Sequence, residues 1–218
     1  MRRLARTSQF RDRSEAGRLL GELLARTRWS DPVVFGLARG GVPIAYEVAR
    51  ALRARLGVFV VRKLGAPGQP EFGVGAVTAG GVPIYDRRSL AALGLSTADM
   101  RATCERERAE ALRQAELYHG DAPPIAVAGR DVIVADDGLA TGVTARAALR
   151  DLRAAGPDTL VFAAPVCAPD AAHALLAEAD RVECLTCPPD FHAVGQFYQD
   201  FRQTSDEQVL ALLERSRA

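Results

Sequence analysis

A chain of 218 residues, 48% hydrophobic and 25% charged, has the composition of a globular domain and enough length for a sizeable core, which excludes a disordered or fibrous protein. Lysine and arginine total 28 against 27 acids, a formal net charge of +1, so no global field draws the chain to nucleic acid or an anionic membrane, and any anion site must be local. All of the basic residues are arginine except one, Lys63.

The N-terminus carries Arg2, Arg3 and Arg6, then Arg11, Asp12, Arg13 and Glu15 in place of an apolar run. No secretory leader is expected, no apolar stretch reaches the length of a membrane span, and the expected compartment is the cytoplasm. Residues 33–37 read as a buried strand. Gly40 and Gly41 then lead into a helix with Pro43 in its first turn and an apolar stripe of Ile44, Val48 and Leu52. A second strand is predicted at 58–62, and two extended pieces at 72–77 and 82–85. Residues 97–118 read as a long exposed helix with Ser96 and Asp99 as its cap pair, its charges forming a solvated face. A loop at 121–124 precedes a strand at 132–136, a glycine turn and a helix at 143–152, stopped by Ala155-Gly156-Pro157. Further strands are predicted at 160–165 and 182–186, and Ser205 with Gln208 opens a last helix that ends near Arg215. Strands alternating with helices predict an α/β fold: a mainly parallel central sheet flanked by helices, one domain over 1–218 with no internal repeat.

The most informative stretch runs from Val132 to Thr144. A buried strand ends in Asp136 and Asp137, and a small-residue turn with Thr141 and Thr144 opens a helix. Amides of Ala140, Thr141, Gly142, Val143 and Thr144 at a helix N-terminus, with two hydroxyls, make a phosphate site that needs no lysine. Open α/β sheets place ligands at this end of their strands. A turn in which Asp137 only caps a helix would need one acid and no threonine pair.

An apolar strand, two acids and a Thr-Gly-rich turn resemble the signature of the type I phosphoribosyltransferases. The resemblance implies that Asp136 and Asp137 face the ribose hydroxyls of phosphoribosyl pyrophosphate and hold Mg2+, directly or through water, while residues 140–144 hold the 5-phosphate. Arg39-Gly40-Gly41 is similar to the family's pyrophosphate loop, and a cis peptide before Arg39 is implied by the same analogy. Arg62 and Lys63, basic at a strand end before loop-like Gly65 to Gly68, resemble the pair beside the family's mobile loop that contacts pyrophosphate. A lone lysine in an arginine-rich chain points to a need for a compact ammonium. Many hypoxanthine and guanine enzymes carry an aspartate where this chain has Ala140; Leu139-Ala140-Thr141-Gly142 is similar to the adenine enzymes instead.

The aromatic-rich C-terminal stretch offers Phe191, Phe197 and Tyr198 either as an acceptor surface or as a small core cluster tying down the arm. With Phe10 to Arg13, this layout resembles a subgroup described only as phosphoribosyltransferase-like, which implies a small hood built from 1–30 and 187–218. Cysteines 104, 167, 184 and 187 suit no secreted disulfide framework and are expected as reduced thiols. Cys184 and Cys187 are read as buried packing, since strand positions three apart face opposite sides. His119, His173 and His192 lack ligand spacing. The expected activity is Mg2+-dependent transfer of a 5-phosphoribosyl group from phosphoribosyl pyrophosphate to a nitrogenous acceptor, within nucleotide metabolism, with no membrane or nucleic-acid partner and with a homodimer compatible. A non-catalytic sensor of the same ligand, a hydrolase or phosphorylase of a ribose 5-phosphate derivative, and a vestigial pocket are the alternatives.

Overall fold

The computed structural model describes residues 10–120 and 123–217. Arg2, Arg3 and Arg6, the first nine residues of the expected hood and residues 121–122 of the expected loop lie outside the described residues.

Five parallel strands form the central sheet: β1 (Val33–Leu37), β2 (Arg55–Phe59), β6 (Asp131–Ala135), β7 (Thr159–Val166) and β8 (Arg181–Thr186), in the order β2-β1-β6-β7-β8. Strands β1 and β6 are buried along their whole length, as the continuous apolar runs require of a sheet covered on both faces. Alternate residues serve two cores. Val34, Ile133, Ala135, Val161 and Ala163 face α1 (Arg13–Leu24), α2 (Gly41–Leu52) and α7 (Asp206–Arg217). Val33, Phe35, Val132, Val134, Leu160 and Phe162 face the side packed by α5 (Val143–Ala154) and α6 (Pro169–Leu175).

The predicted strand at 58–62 divides. After β2 the buried Val60 carries the chain into β3 (Val61–Ala66), which pairs antiparallel with β4 (Gln69–Thr78), itself paired with β5 (Ile84–Tyr85). One uninterrupted apolar run thus serves two sheets, and its hydrophobicity holds no mark of the break. Gly65 and Ala66, read as loop, are strand, and the hairpin tip is at Pro67-Gly68. The small sheet, α3 (Arg87–Ala92) and α4 (Arg101–His119) share a third core around Leu64, Val77, Leu90 and Met100.

Helix α4 begins later than expected. Ser96 donates from its amide and hydroxyl to Asp99 at 2.8 and 2.7 Å, which closes a turn over 97–100 and not the helix end. Three helices escaped the sequence: α1, α3 and α6. The first has a legible cap, because Asp12 accepts from the Glu15 amide at 2.8 Å while Glu15 accepts from the Arg11 amide at 2.7 Å. Gly17 and Gly21 masked it by lowering local helix propensity. A Cβ on Gly17 would lie 2.9 Å from Ile44 Cα, and one on Gly21 2.8 Å from Ala51 Cβ, so these glycines let α1 press against α2. Residues 13–24 of the expected hood are therefore part of the layer covering the sheet.

Candidate active site

Strands β1 and β6 are neighbours in register, Phe35 beside Val134 and Gly36 beside Ala135, so the loops leaving their C-terminal ends emerge side by side. A cleft of about 970 Å³ opens there, lined by Arg39, Gly40, Arg62, Lys63, Asp136, Asp137, Ala140, Thr141, Gly142 and Thr144, among others. Twelve of the fifteen expected site positions were scattered over three segments, and ten of them meet in this one cavity.

Local chemistry explains the arrangement. Helices α2 and α5 follow Gly40 and Gly142, which offer no side-chain cap, in contrast to α1 and α3, capped by Asp12 and Asp86. Two helix N-termini bordering the cleft thus lack a side-chain acceptor of their own, an arrangement suited to anions. The peptide between Ala38 and Arg39 is cis, in agreement with the analogy. Gly41 and Val143 do not line the cavity. A Cβ on Gly41 would run into the Ala135 carbonyl oxygen and approach Asp136 Cα to 2.9 Å, so Gly41 sets how closely the two loops approach. Val143 packs into the core beneath.

Charge is unevenly compensated. Arg13, at the start of α1, pairs with Asp137 through Nε and NH2, each at 2.8 Å, and its guanidinium lies 4.1 Å from the centre of the Phe201 ring. Burial raises the pKa of Asp137, and Arg13 opposes that rise. Asp136 is pushed well above the usual carboxylate range, first by burial and then by the charge of Asp137, although the Asp137 amide donates to its Oδ1 at 2.9 Å. Arg13 thus offsets Asp137 directly, while Asp136, which has no arginine bound to it, is shifted toward its neutral form. Lys63 is exposed at the cleft and has no ion-pair partner among the described residues, whereas Arg62 is held by Glu107 of α4 at 2.9 Å. Arg39 is held by Asp206, the first residue of α7, at 3.3 Å; Asp206 also accepts from the Tyr118 hydroxyl at 2.6 Å, the bond that does most to keep its pKa low.

The aromatic segment divides differently from the expectation. Phe191 and Phe197 stack on each other at 5.7 Å and do not line the cleft. Tyr198 is 5% exposed, packs on Phe10 and donates its hydroxyl to the Asp137 carbonyl at 2.6 Å, so it is core and bracing. In their place Val194, Phe201, Gln203 and Thr204 form that wall. The Phe201 ring meets Arg13 and, at 5.0 Å, Tyr198.

Sequence reasoning also missed a wall from α4. Thr103, Arg106, Glu107 and Gln114 line the cleft, so one side of the helix read as a solvated face borders the cavity. Their spacing of three, four and eleven is a helical stripe, a signal present in the sequence, but a polar stripe facing a polar cleft looks the same as one facing water. Arg13 had no such signal, since its partner is 124 positions away.

The fold and cleft define the class: the chain belongs to the phosphoribosyl transferase domain family, whose model matches residues 13–202. Among individual proteins, it is 44% identical over 207 residues to "Putative phosphoribosyl transferase Rv0571c" of Mycobacterium tuberculosis, a match covering 95% of this chain and 47% of that protein. The chain therefore spans about half the length of the curated relatives it matches. The crystal structure of TT1426 from Thermus thermophilus shares 44% identity with a TM-score of 0.79, covering 95% of this chain and 98% of that one. No helix among the described residues is long and apolar enough to cross a membrane.

Proposed function

We propose that the chain transfers the 5-phosphoribosyl group of phosphoribosyl pyrophosphate to a nitrogenous acceptor and releases pyrophosphate. The observation that carries this reading is the pair of uncapped helix N-termini, from neighbouring parallel strands, converging on one cleft with two adjacent carboxylates between them. The ligand has a phosphate at one end, a diphosphate at the other and a diol between, and the residues lining the cleft include hydroxyls, carboxyl groups and cations of matching chemistry.

In this reading Ala140 to Thr144 hold the 5-phosphate with amides and the Thr141 and Thr144 hydroxyls. Arg39, with the amides of Gly40 and Gly41, holds the diphosphate, and Arg62 and Lys63 meet the charge that grows on it as the bond to C1 breaks. Asp136 and Asp137 accept from the ribose hydroxyls and stabilise positive charge developing on the sugar. The donor set suits a hard cation, because two adjacent carboxyl groups offer oxygen ligands to the cleft. Mg2+ held there by Asp136 and Asp137, directly or through water, would neutralise ligand charge when bound. Catalysis rests on fixed geometry of sugar and leaving group.

The supporting test is thermal: phosphoribosyl pyrophosphate with Mg2+ should raise the melting temperature of the parent by mass action, while Asp136→Asn with Asp137→Asn removes the shift. No shift at millimolar ligand would overturn the assignment. Pyrophosphate release that requires an added base separates transfer from hydrolysis and from sensing.

A further inference from the structure

The expectation for the cysteines fails on geometry. Strand β8 ends at Thr186, so Cys187 is no longer bound by strand alternation, and Pro188-Pro189 turns the chain away. Its sulfur returns to the side of Cys184. Cys167, immediately after β7, lies beside them because β7 and β8 pair Ala164 with Cys184 and the Cys167 amide donates to the Thr186 carbonyl at 3.1 Å. All three Sγ atoms lie within 4.8 Å of one another. Cys167 and Cys184 are joined as a disulfide with Cα atoms 6.3 Å apart, while Cys187 is an exposed free thiol. The fourth cysteine, Cys104, is buried in the third core.

Three sulfurs from two adjacent strand ends, one of them open to solvent, are more than packing requires. Thiolates bound to one zinc ion at about 2.3 Å in tetrahedral geometry lie about 3.8 Å apart; reduction frees the Cys167 and Cys184 sulfurs from bonding distance to separate toward that spacing, with Cys187 already within 4.8 Å of both. We propose that the reduced chain binds a soft cation of the Zn2+ type through Cys167, Cys184 and Cys187, a site separate from the oxygen-rich cleft and independent of the transferase reading. The ligand class follows from the donors, because thiolates favour soft metals and reject Mg2+.

The site is gated by redox state. A dithiol supplies two electrons and two protons to the Cys167–Cys184 bond and leaves as its own disulfide. Each of the three thiols then loses its proton as its sulfur bonds the metal, and water fills the fourth position. With the disulfide intact, two of the three ligands are unavailable.

The experiment reduces the full chain with excess dithiol, removes the dithiol anaerobically and titrates Zn2+ against a chromophoric chelator. One zinc per chain is expected, held below about 1 μM, with at least about a tenfold loss of affinity in Cys187→Ser and no change in Cys104→Ser. The oxidised parent should take up none at this site. Co2+ added to the reduced parent should give thiolate-to-metal charge-transfer bands, a readout that needs no variant and stands even if Cys187→Ser fails to fold. Substoichiometric zinc in the reduced parent, absent charge-transfer bands, or unchanged affinity in a folded Cys187→Ser variant would overturn the proposal.

Discussion

Asp136→Asn should make the ligand-free protein more stable while destroying its ligand site. The reason is the charge imbalance at the cleft. Asp136 is pushed toward its neutral form by burial and by Asp137, and Arg13 grips only Asp137. Asparagine keeps the oxygen that accepts from the Asp137 amide at 2.9 Å, so the exchange removes a charge without removing a hydrogen bond. Functional-site charges relieved in this way yield about 1–2 kcal/mol, or about 2–8 °C in Tm for a chain of this size. The sign with pH follows from linkage. A carboxyl whose folded pKa lies above its ordinary value of 3.8 binds more protons folded than unfolded, so parent stability falls as pH rises through the folded pKa. The advantage of the variant is therefore smallest at and below the ordinary carboxyl pKa of 3.8, where Asp136 is protonated in both states, and grows as pH rises toward the raised folded pKa. Thermal denaturation of both proteins in metal-free buffer across that range is the assay. A lower Tm for the variant at pH 8, or a difference independent of pH, would refute the electrostatic account.

Lys63→Met should lower turnover more than it weakens substrate binding, by roughly thirtyfold to a thousandfold, with Lys63→Arg recovering part of the loss; steady-state kinetics with an identified acceptor tests this, and a loss within about twofold would make the lysine a solvated charge. Gly41→Ala should lower Tm by an amount corresponding to about 1–3 kcal/mol and weaken phosphoribosyl pyrophosphate binding, because its Cβ forces the loops after β1 and β6 apart. Calorimetry with and without ligand measures both. Tyr198→Phe should cost about 1–3 kcal/mol in urea denaturation by leaving the Asp137 carbonyl unpaired, with Mg2+ absent so that the reading is of the fold alone.

The parts of the molecule legible in the sequence are those whose signal is local. The strand ending at Asp136 and Asp137, the glycine turns and the helices beginning at Gly41 and Val143 each lie within a few consecutive residues, and the expected architecture of a mainly parallel sheet follows from them. What was hidden depends on separation or on ambiguity. Arg13 meets Asp137, Asp206 meets Arg39 and Cys167 meets Cys184 only because the fold brings distant helix starts and strand ends together. Tyr198 offered a ring for stacking in the sequence, and its hydroxyl turned out to brace the acid loop from behind. Val58 to Arg62 looked like one strand because burial in either sheet selects the same side chains.

The glycines of α1 have an effect well beyond their own helix. At Gly17 and Gly21, α1 approaches α2 too closely to admit a Cβ without displacement, and Arg13 is the first residue of the same helix. Enlarging either glycine should displace the helix and so loosen the Arg13–Asp137 pair. Substitutions at positions 17 and 21 are thus constrained by the ionisation of an acid on another element, and changes tolerated at one should be those that a compensating change near Ile44 or Ala51 restores. A sequence pair with no shared chemistry is coupled here through a lever arm.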